Sequence, residues 1–321
     1  MQYKTILGSD MKSSAICLGS SALGSTVNKE LSFKLMDLYY ESGGNFIDTA
    51  NVYANWLPIE KNISEKTIGM WIKKRGLRNK ILIGTKGGHP DLSSMNIPRL
   101  SHIEIVKDLD ESLKSLQTDF VDIYWLHRDD EKRPVADMLE TLNEQVKVGK
   151  IRYFGCSNWR PYRIIEAMQY TAKRNMKCFV ANQMRWSLAK LNSDEIGDKT
   201  TVEMDEEIFK FHKETKLTAI PYSSQAKGFF TKLDNLDRIS LTDGIKEKYY
   251  NDENIARLNN IKKLALDMSV SIEEIVLGYL ISQSFSTIPI VGCKTVEHLK
   301  VSLKAGDLKL NQDMLDYLEK T

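Results

Sequence analysis

Cysteine is scarce in this chain: four residues in 321, at Cys17, Cys156, Cys178 and Cys293, with no Cys-x-x-Cys pair among them. That spacing offers neither a disulfide framework nor a thiolate metal site, so the thiols are expected to be reduced. Long apolar runs are missing too. No window approaches the roughly 18 apolar residues of a membrane helix, and Met1-Gln2-Tyr3-Lys4-Thr5 lacks the apolar core of a secretory leader. A cytoplasmic protein with no membrane partner is the expectation. Neither sign of charge is in excess, since 45 basic residues stand against 43 acidic ones for a net +2. Nothing in that balance calls for nucleic acid. Internal repeats and low-complexity tracts are absent. So is a dinucleotide fingerprint of the Gly-x-Gly-x-x-Gly kind, because Gly19-Ser20-Ser21-Ala22-Leu23-Gly24 keeps only the outer glycines.

What is present is alternation. Hydrophobic residues make up 42% and charged residues 27%, enough to build a large core. Short apolar runs at residues 15–18, 45–47, 80–85, 120–126, 151–155, 178–181, 217–220 and 287–291 read as strands. Helical periodicity lies between them: Val106, Leu109, Leu113 and Leu116 in one segment, and Ile68, Trp71 and Ile72 after Ser64, read as an N-cap. Gly43-Gly44 closes the first helix, and Pro161 opens another. Eight strands separated by helices specify an α/β fold, a (β/α)8 TIM barrel, as one domain over residues 1–321. Residues 1–12 add an N-terminal hairpin around Gly8-Ser9-Asp10 across the barrel floor. Residues 222–251 form an inserted loop after strand seven, and a last amphipathic helix begins at Gln312.

Four polar residues stand at strand ends. Asp48 closes Asn45-Phe46-Ile47 and is followed by Tyr53, Lys86 closes the run ending in Thr85, and His127 closes the run ending in Leu126. In a parallel barrel, such residues from neighbouring strands converge on one mouth. Their chemistry is coherent. Carbonyl reduction needs hydride at carbon and a proton at oxygen. A tyrosine, with a pKa near 10, carries that proton at neutral pH. An adjacent ammonium stabilises the tyrosinate. Lys86 is placed for this, with Asp48 as its counter-charge, and His127 can donate a hydrogen bond to the carbonyl oxygen. The reading requires Tyr53 and Lys86 to approach within about 6 Å.

Asp48-Thr49-Ala50-Asn51-Val52-Tyr53 resembles the first signature of the aldo-keto reductase superfamily. The resemblance continues in family order through Ser64-Glu65-Lys66-Thr67-Ile68-Gly69, Thr85-Lys86-Gly87-Gly88 and residues 119–127. It then runs through Gly149-Lys150-Ile151-Arg152, Gly155-Cys156-Ser157-Asn158, Asn182-Gln183 and Ile288-Pro289-Ile290-Val291-Gly292. It implies an eight-fold barrel and an NAD(P)-dependent oxidoreductase, with Tyr53 as proton donor and Asp48, Lys86 and His127 in support. By the same resemblance Ser157, Asn158 and Gln183 hold the nicotinamide carboxamide and Tyr222 stacks on its ring. Ser223, Gln225 and Lys227 meet the pyrophosphate, while Gly292, Lys294, Thr295 and His298 face the adenosine phosphate. Many relatives place a lysine and an arginine around the 2′-phosphate. Here Lys294 is the one firm cation, so NADP is favoured over NAD by a single point charge.

The pattern departs from the family at Ala54, where glycine is common, and in a longer loop carrying Trp56. Trp56, His89 and Arg128 are the candidate substrate contacts, with Trp159 and Trp186 as further borders of the mouth. Arg128-Asp129-Asp130 extends the polar rim and tilts the expected carbonyl substrate toward a sugar. A non-catalytic, cofactor-binding barrel, like the family's channel-associated subunits, is the alternative. A metal-dependent barrel with Asp48, His89 and His127 as ligands is a third reading. No His-x-His follows the first strand, however, and Lys86 would crowd the ion; no metal is expected.

Overall fold

The computed structural model describes residues 1–192, 198–235 and 241–320. Two short strands, β1 (Tyr3–Thr5) and β2 (Lys12–Ser14), pair antiparallel as a hairpin. Eight more follow: β3 (Cys17–Gly19), β4 (Phe46–Asp48), β5 (Leu82–Gly87), β6 (Val121–Leu126), β7 (Ile151–Ser157), β8 (Ala181–Gln183), β9 (Thr218–Ala219) and β10 (Ile290–Val291). They form one parallel sheet in the order β10-β3-β4-β5-β6-β7-β8-β9. The sheet closes on itself where Ala219 bridges Thr287 and the Ile288 amide donates to the Ala219 carbonyl at 2.9 Å. This is the (β/α)8 barrel the alternation specifies.

Alternation along each strand decides what enters the barrel. Phe46, Ile123, Trp125, Ala181 and Ile290 point inward, where the hairpin's Ile6 and Met11 join them and plug the floor. Ile47, Tyr124 and Leu126 face the helices. The bulk of Trp125 explains two glycines: a Cβ at Gly155 would lie 2.2 Å from its ring, and one at Gly84 2.8 Å from its Nε1. The same parity sends Asp48, Lys86, Gln183 and Ser157 inward at the upper rim.

Several end signals hold. Ser42 caps the helix Lys29–Glu41, and beyond it the Gly43 amide donates to Tyr40 and the Gly44 amide to Tyr39, with φ +85° at Gly43. Pro161 opens the helix Pro161–Ala172. Ser64, in contrast, is not a cap. The helix begins at Ile63 behind a left-handed Asn62, and the buried Ser64 hydroxyl donates instead to the Ser20 carbonyl at 2.8 Å. The insertion after β9 carries its own short helices, Phe229–Asp234 and Asp243–Tyr249. The terminal helix Gln312–Glu319 buries Leu315 and Leu318 against the outer layer. No described helix is long and apolar enough to cross a membrane.

Candidate active site

The strands end later than their apolar runs, so Asp48 and Lys86 lie within β4 and β5, held by ladder bonds. Lys86 Nζ donates to Asp48 Oδ2 at 2.5 Å, to the Thr49 carbonyl at 2.8 Å and to Tyr53 Oη at 3.0 Å. Three donors thus meet three acceptors, and the ammonium is saturated. Gln183 Nε2 donates to the other Asp48 oxygen at 2.8 Å. The His127 ring lies 6.2 Å from the Tyr53 ring, edge-on. All four sequence-predicted residues therefore meet at one mouth. Ala54, directly after Tyr53, sits buried at φ +66°, a backbone geometry that favours glycine.

Burial sets the protonation states. It raises the Tyr53 phenol above its ordinary value despite the opposing pull of Lys86, with Asp48 adding to the rise. Lysine alone would have lowered it; desolvation outweighs the pair. Lys86 stays an ammonium, because Asp48 and Tyr53 together outweigh the desolvation that opposes its charge. His127 is driven well below its ordinary value by burial and then by Arg128, and is neutral. Its Nδ1 is sealed without a partner. A buried lone pair costs less than an orphaned N–H, so the proton belongs on Nε2, which is left to meet a ligand.

Beside this cluster lies a second set of predicted residues. Asn158 (φ +63°) donates through Nδ2 to the His127 carbonyl at 3.2 Å and to Ser157 Oγ at 3.1 Å. Its Oδ1 accepts from Tyr222 Oη at 2.7 Å and from the Val202 amide at 3.0 Å. Gln225 Nε2 donates to Ser302 Oγ at 2.9 Å, tying its loop to the helix Val296–Lys304. Thr295 caps that helix by accepting from the His298 amide, and Gly292, Lys294 and His298 are exposed. Ser223, Ala226 and Lys227 all have positive φ, strain of a kind that persists where a loop is built for a ligand. Lys227 is pushed below its ordinary pKa by burial and then by its neighbours Lys248, Arg185, Lys232 and Lys294. The sequence pointed to Lys227 and Lys294; Lys232 and Lys248 lie on the short helices of the same insertion, and Arg185 joins them from just past β8.

The substrate side differs more from expectation. Trp159 and Trp186 do not border the mouth. Trp159 is fully buried against Phe179 and donates to the Arg128 carbonyl at 3.0 Å, while Trp186 lies in a cluster with Phe209, Tyr279 and Phe285. Trp56 is half exposed, its ring 6.3 Å from Tyr53. The polar rim is already occupied. Arg128 binds Thr200 at 2.7 Å and Asp198 at 2.8 Å, and Asp129 pairs with Arg163 at 3.0 Å. Arg128 thus braces residues 198–200 against the mouth. Gly24, Leu57, Pro58 and Ile59 wall a recess of about 340 Å³ that Tyr53 does not line. Among the described residues no three His, Cys, Asp or Glu side chains gather as metal ligands, and both Asp48 oxygens are taken.

A barrel whose mouth presents a saturated lysine, a phenol and a neutral imidazole gathers the groups that carbonyl reduction uses. The comparisons agree. The profile of the Aldo/keto reductase family matches residues 15–321, and the chain belongs to that family. It is 27% identical over 329 residues to an uncharacterised oxidoreductase of Bacillus subtilis, covering 99% of this chain and 95% of that one. An aryl-alcohol dehydrogenase of Pestalotiopsis microspora is 26% identical over 320 residues, 96% of this chain and 78% of its own. The NADP(+) aryl-alcohol dehydrogenase of Phanerodontia chrysosporium is 26% identical, covering 98% and 84%. Such a family implies a nicotinamide cofactor, and the residues present fit one. Gln183 Oε1 is buried at the mouth with no partner, and cations gather round the strained loop at 223–228.

Proposed function

We propose that this protein reduces an aldehyde or ketone to its alcohol, or runs the reverse, with NADP(H), and that Tyr53 donates the proton. The observation that carries the reading is the 3.0 Å contact between Lys86 Nζ and Tyr53 Oη, with Asp48 behind the ammonium. A bound nicotinamide supplies hydride to the carbonyl carbon. Negative charge then grows on the oxygen, where the Nε2 proton of His127 and the phenol of Tyr53 meet it. The Tyr53 proton moves to that oxygen, and the phenolate left behind faces an ammonium that Asp48 keeps charged. Because burial raises the phenol, the proton leaves only as the acceptor becomes strongly basic, in step with hydride arrival.

Ser157 and Gln183 would hold the carboxamide, Gln183 through its free Oε1, with Asn158, whose own amide bonds are filled, setting Ser157 and Tyr222 in place beside them. Ser223, Gln225, Lys227, Gly292, Lys294, Thr295 and His298 would line the path to the adenosine phosphate, and the clustered cations favour NADP over NAD. A carbonyl on an aromatic or apolar frame suits the mouth better than a sugar. Arg128 and Asp129 are spent on the fold, while the half-exposed Trp56 ring stands beside Tyr53. The named aryl-alcohol dehydrogenases among the relatives support that preference. Tyr53→Phe tests the reading. Turnover of a reactive aromatic aldehyde should fall on the order of a thousandfold, while NADPH binding, followed by fluorescence, stays near wild type. Turnover within tenfold of wild type would refute the role of Tyr53.

A further inference from the structure

We propose that His89 accepts a hydrogen bond from a hydroxyl carried beside the reacting carbonyl, so that the favoured substrates are hydroxy-carbonyl compounds such as 2-hydroxyaryl aldehydes. The inference rests on the redox reading of the Tyr53 site. It begins with a tautomer. His89 Nδ1 lies 2.6 Å from the Pro90 carbonyl oxygen. That oxygen can only accept, so Nδ1 carries the proton. Burial and the nearby Arg128 lower the pKa of the ring, so His89 is neutral and Nε2 is left as a lone pair. Its neighbour is the opposite case: His127 has its sealed nitrogen at Nδ1 and its proton on Nε2. The two rings meet edge to face with centroids 4.7 Å apart.

One donor and one acceptor therefore stand side by side at the mouth. An aryl aldehyde with a hydroxyl on the adjacent ring position presents the complementary pair. Its two oxygens lie roughly 2.7 Å apart, and on binding the hydroxyl turns its one proton from the carbonyl oxygen to His89 Nε2, while the carbonyl accepts from His127 instead. His89 is also set in place before a ligand arrives. Its carbonyl accepts from Arg99 Nη1 at 3.0 Å, Arg99 pairs with Asp108 at 3.0 Å, and Asp108 accepts the Gly88 amide at 2.8 Å. A histidine that merely capped its own loop would need neither that brace nor the ring packed on His127.

The test compares kcat/KM for 2-hydroxybenzaldehyde with that for 2-methoxybenzaldehyde, which cannot donate, at saturating NADPH. Their ratio is measured in wild type and in H89F, H89L and H89Q, which cancels the intrinsic reactivity of the two aldehydes. The ratio should fall about fivefold in H89F and in H89L. H89Q, which keeps an acceptor oxygen within reach, should retain most of it. Two apolar variants are used so that misfolding of one leaves the other to read. A ratio unchanged in whichever apolar variants fold overturns this inference alone. Wild-type protein that reduces neither aldehyde overturns the redox reading and the inference together.

Discussion

Two carboxylates are buried at opposite ends of this barrel, and they differ in what their partners are free to do. Asp122, at the floor, receives Arg78 at 2.9 Å, Arg152 at 2.8 Å and the Ile83 amide at 2.9 Å. Arg78 also donates to the Phe120 carbonyl and lies over the Phe120 ring, and Arg152 reaches on to Asp10. Asp48, at the mouth, receives Lys86 and Gln183, but each of these keeps a second interest. Lys86 also holds the Tyr53 phenol, and Gln183 keeps an unpartnered Oε1. Both carboxylates answer the same cost, the removal of a charge from water. At the floor the answer is complete and serves stability. At the mouth the ammonium turns its third bond to the Tyr53 phenol and Gln183 Oε1 stays unpartnered, so the charge is answered without every partner being spent on the fold.

Substitutions at the two ends should therefore separate turnover from stability. The largest effect belongs to the mouth, where the thousandfold loss expected of Tyr53→Phe should come without a change in unfolding midpoint. Asp122→Ala should do the reverse. It leaves two arginines facing each other at the floor, and losing one partner of a buried ion pair costs about 3 kcal/mol. Urea denaturation should show that loss, while kcat of the folded protein stays within twofold of wild type. A fall in kcat as large as the fall in stability would mean that the floor and the mouth are not independent.

A third carboxyl lies between these extremes. Glu65 is fully buried on the outer side of β5, where Thr85 Oγ1 donates to its Oε1 at 2.6 Å and Oε2 has no partner. Burial pushes its pKa up from 4.5 to about 7, with Asp108 and Glu111 adding to the rise. The folded state keeps the proton that the unfolded chain loses above pH 4.5. Stability therefore falls as pH rises from about 4.5 to about 7 and then levels, by roughly 3 kcal/mol in all. Glu65→Gln has no such proton to lose. Its unfolding free energy relative to wild type should rise across that window, and parallel pH profiles for the two proteins would show that Glu65 titrates normally.

Alternation of strand and helix carried most of what the sequence made legible. Apolar runs put Asp48, Lys86 and His127 at strand ends on one rim, their residue types then limited the chemistry, and the strand parity that turns them inward is seen only in the fold. Strand limits were less legible, because apolar runs mark burial and the ladder bonds extend past them. The tryptophans show a different limit. Trp159 and Trp186 lie just past β7 and β8, yet each folds back into a core, a choice made by Phe179 in one case and Phe285 in the other. Ser64 looked like a cap because caps and buried hydroxyls use the same residue type. Glu65 stood in a recognised motif, but its isolation from solvent depends on two helices meeting over β5.

The phosphate side breaks the comparison in another way, because its charge is spread out. Lys227 has four cationic neighbours, Lys232 and Lys248 from its own insertion and Arg185 and Lys294 from just past β8 and β10. Where the mouth depends on single contacts, this cluster acts through a summed field, and removing one exposed member should matter little. Lys294→Ala is expected to weaken NADPH roughly fivefold more than NADH, the scale of one exposed ion pair. The difference should shrink as salt rises from 50 to 500 mM, because exposed charges are screened. Titrating both cofactors at both salt concentrations measures it. Equal losses for the two would show that Lys294 does not read the 2′-phosphate. A loss a hundredfold larger for NADPH would show that the field is not shared after all, and that this end of the site relies on one residue as heavily as the mouth relies on Tyr53.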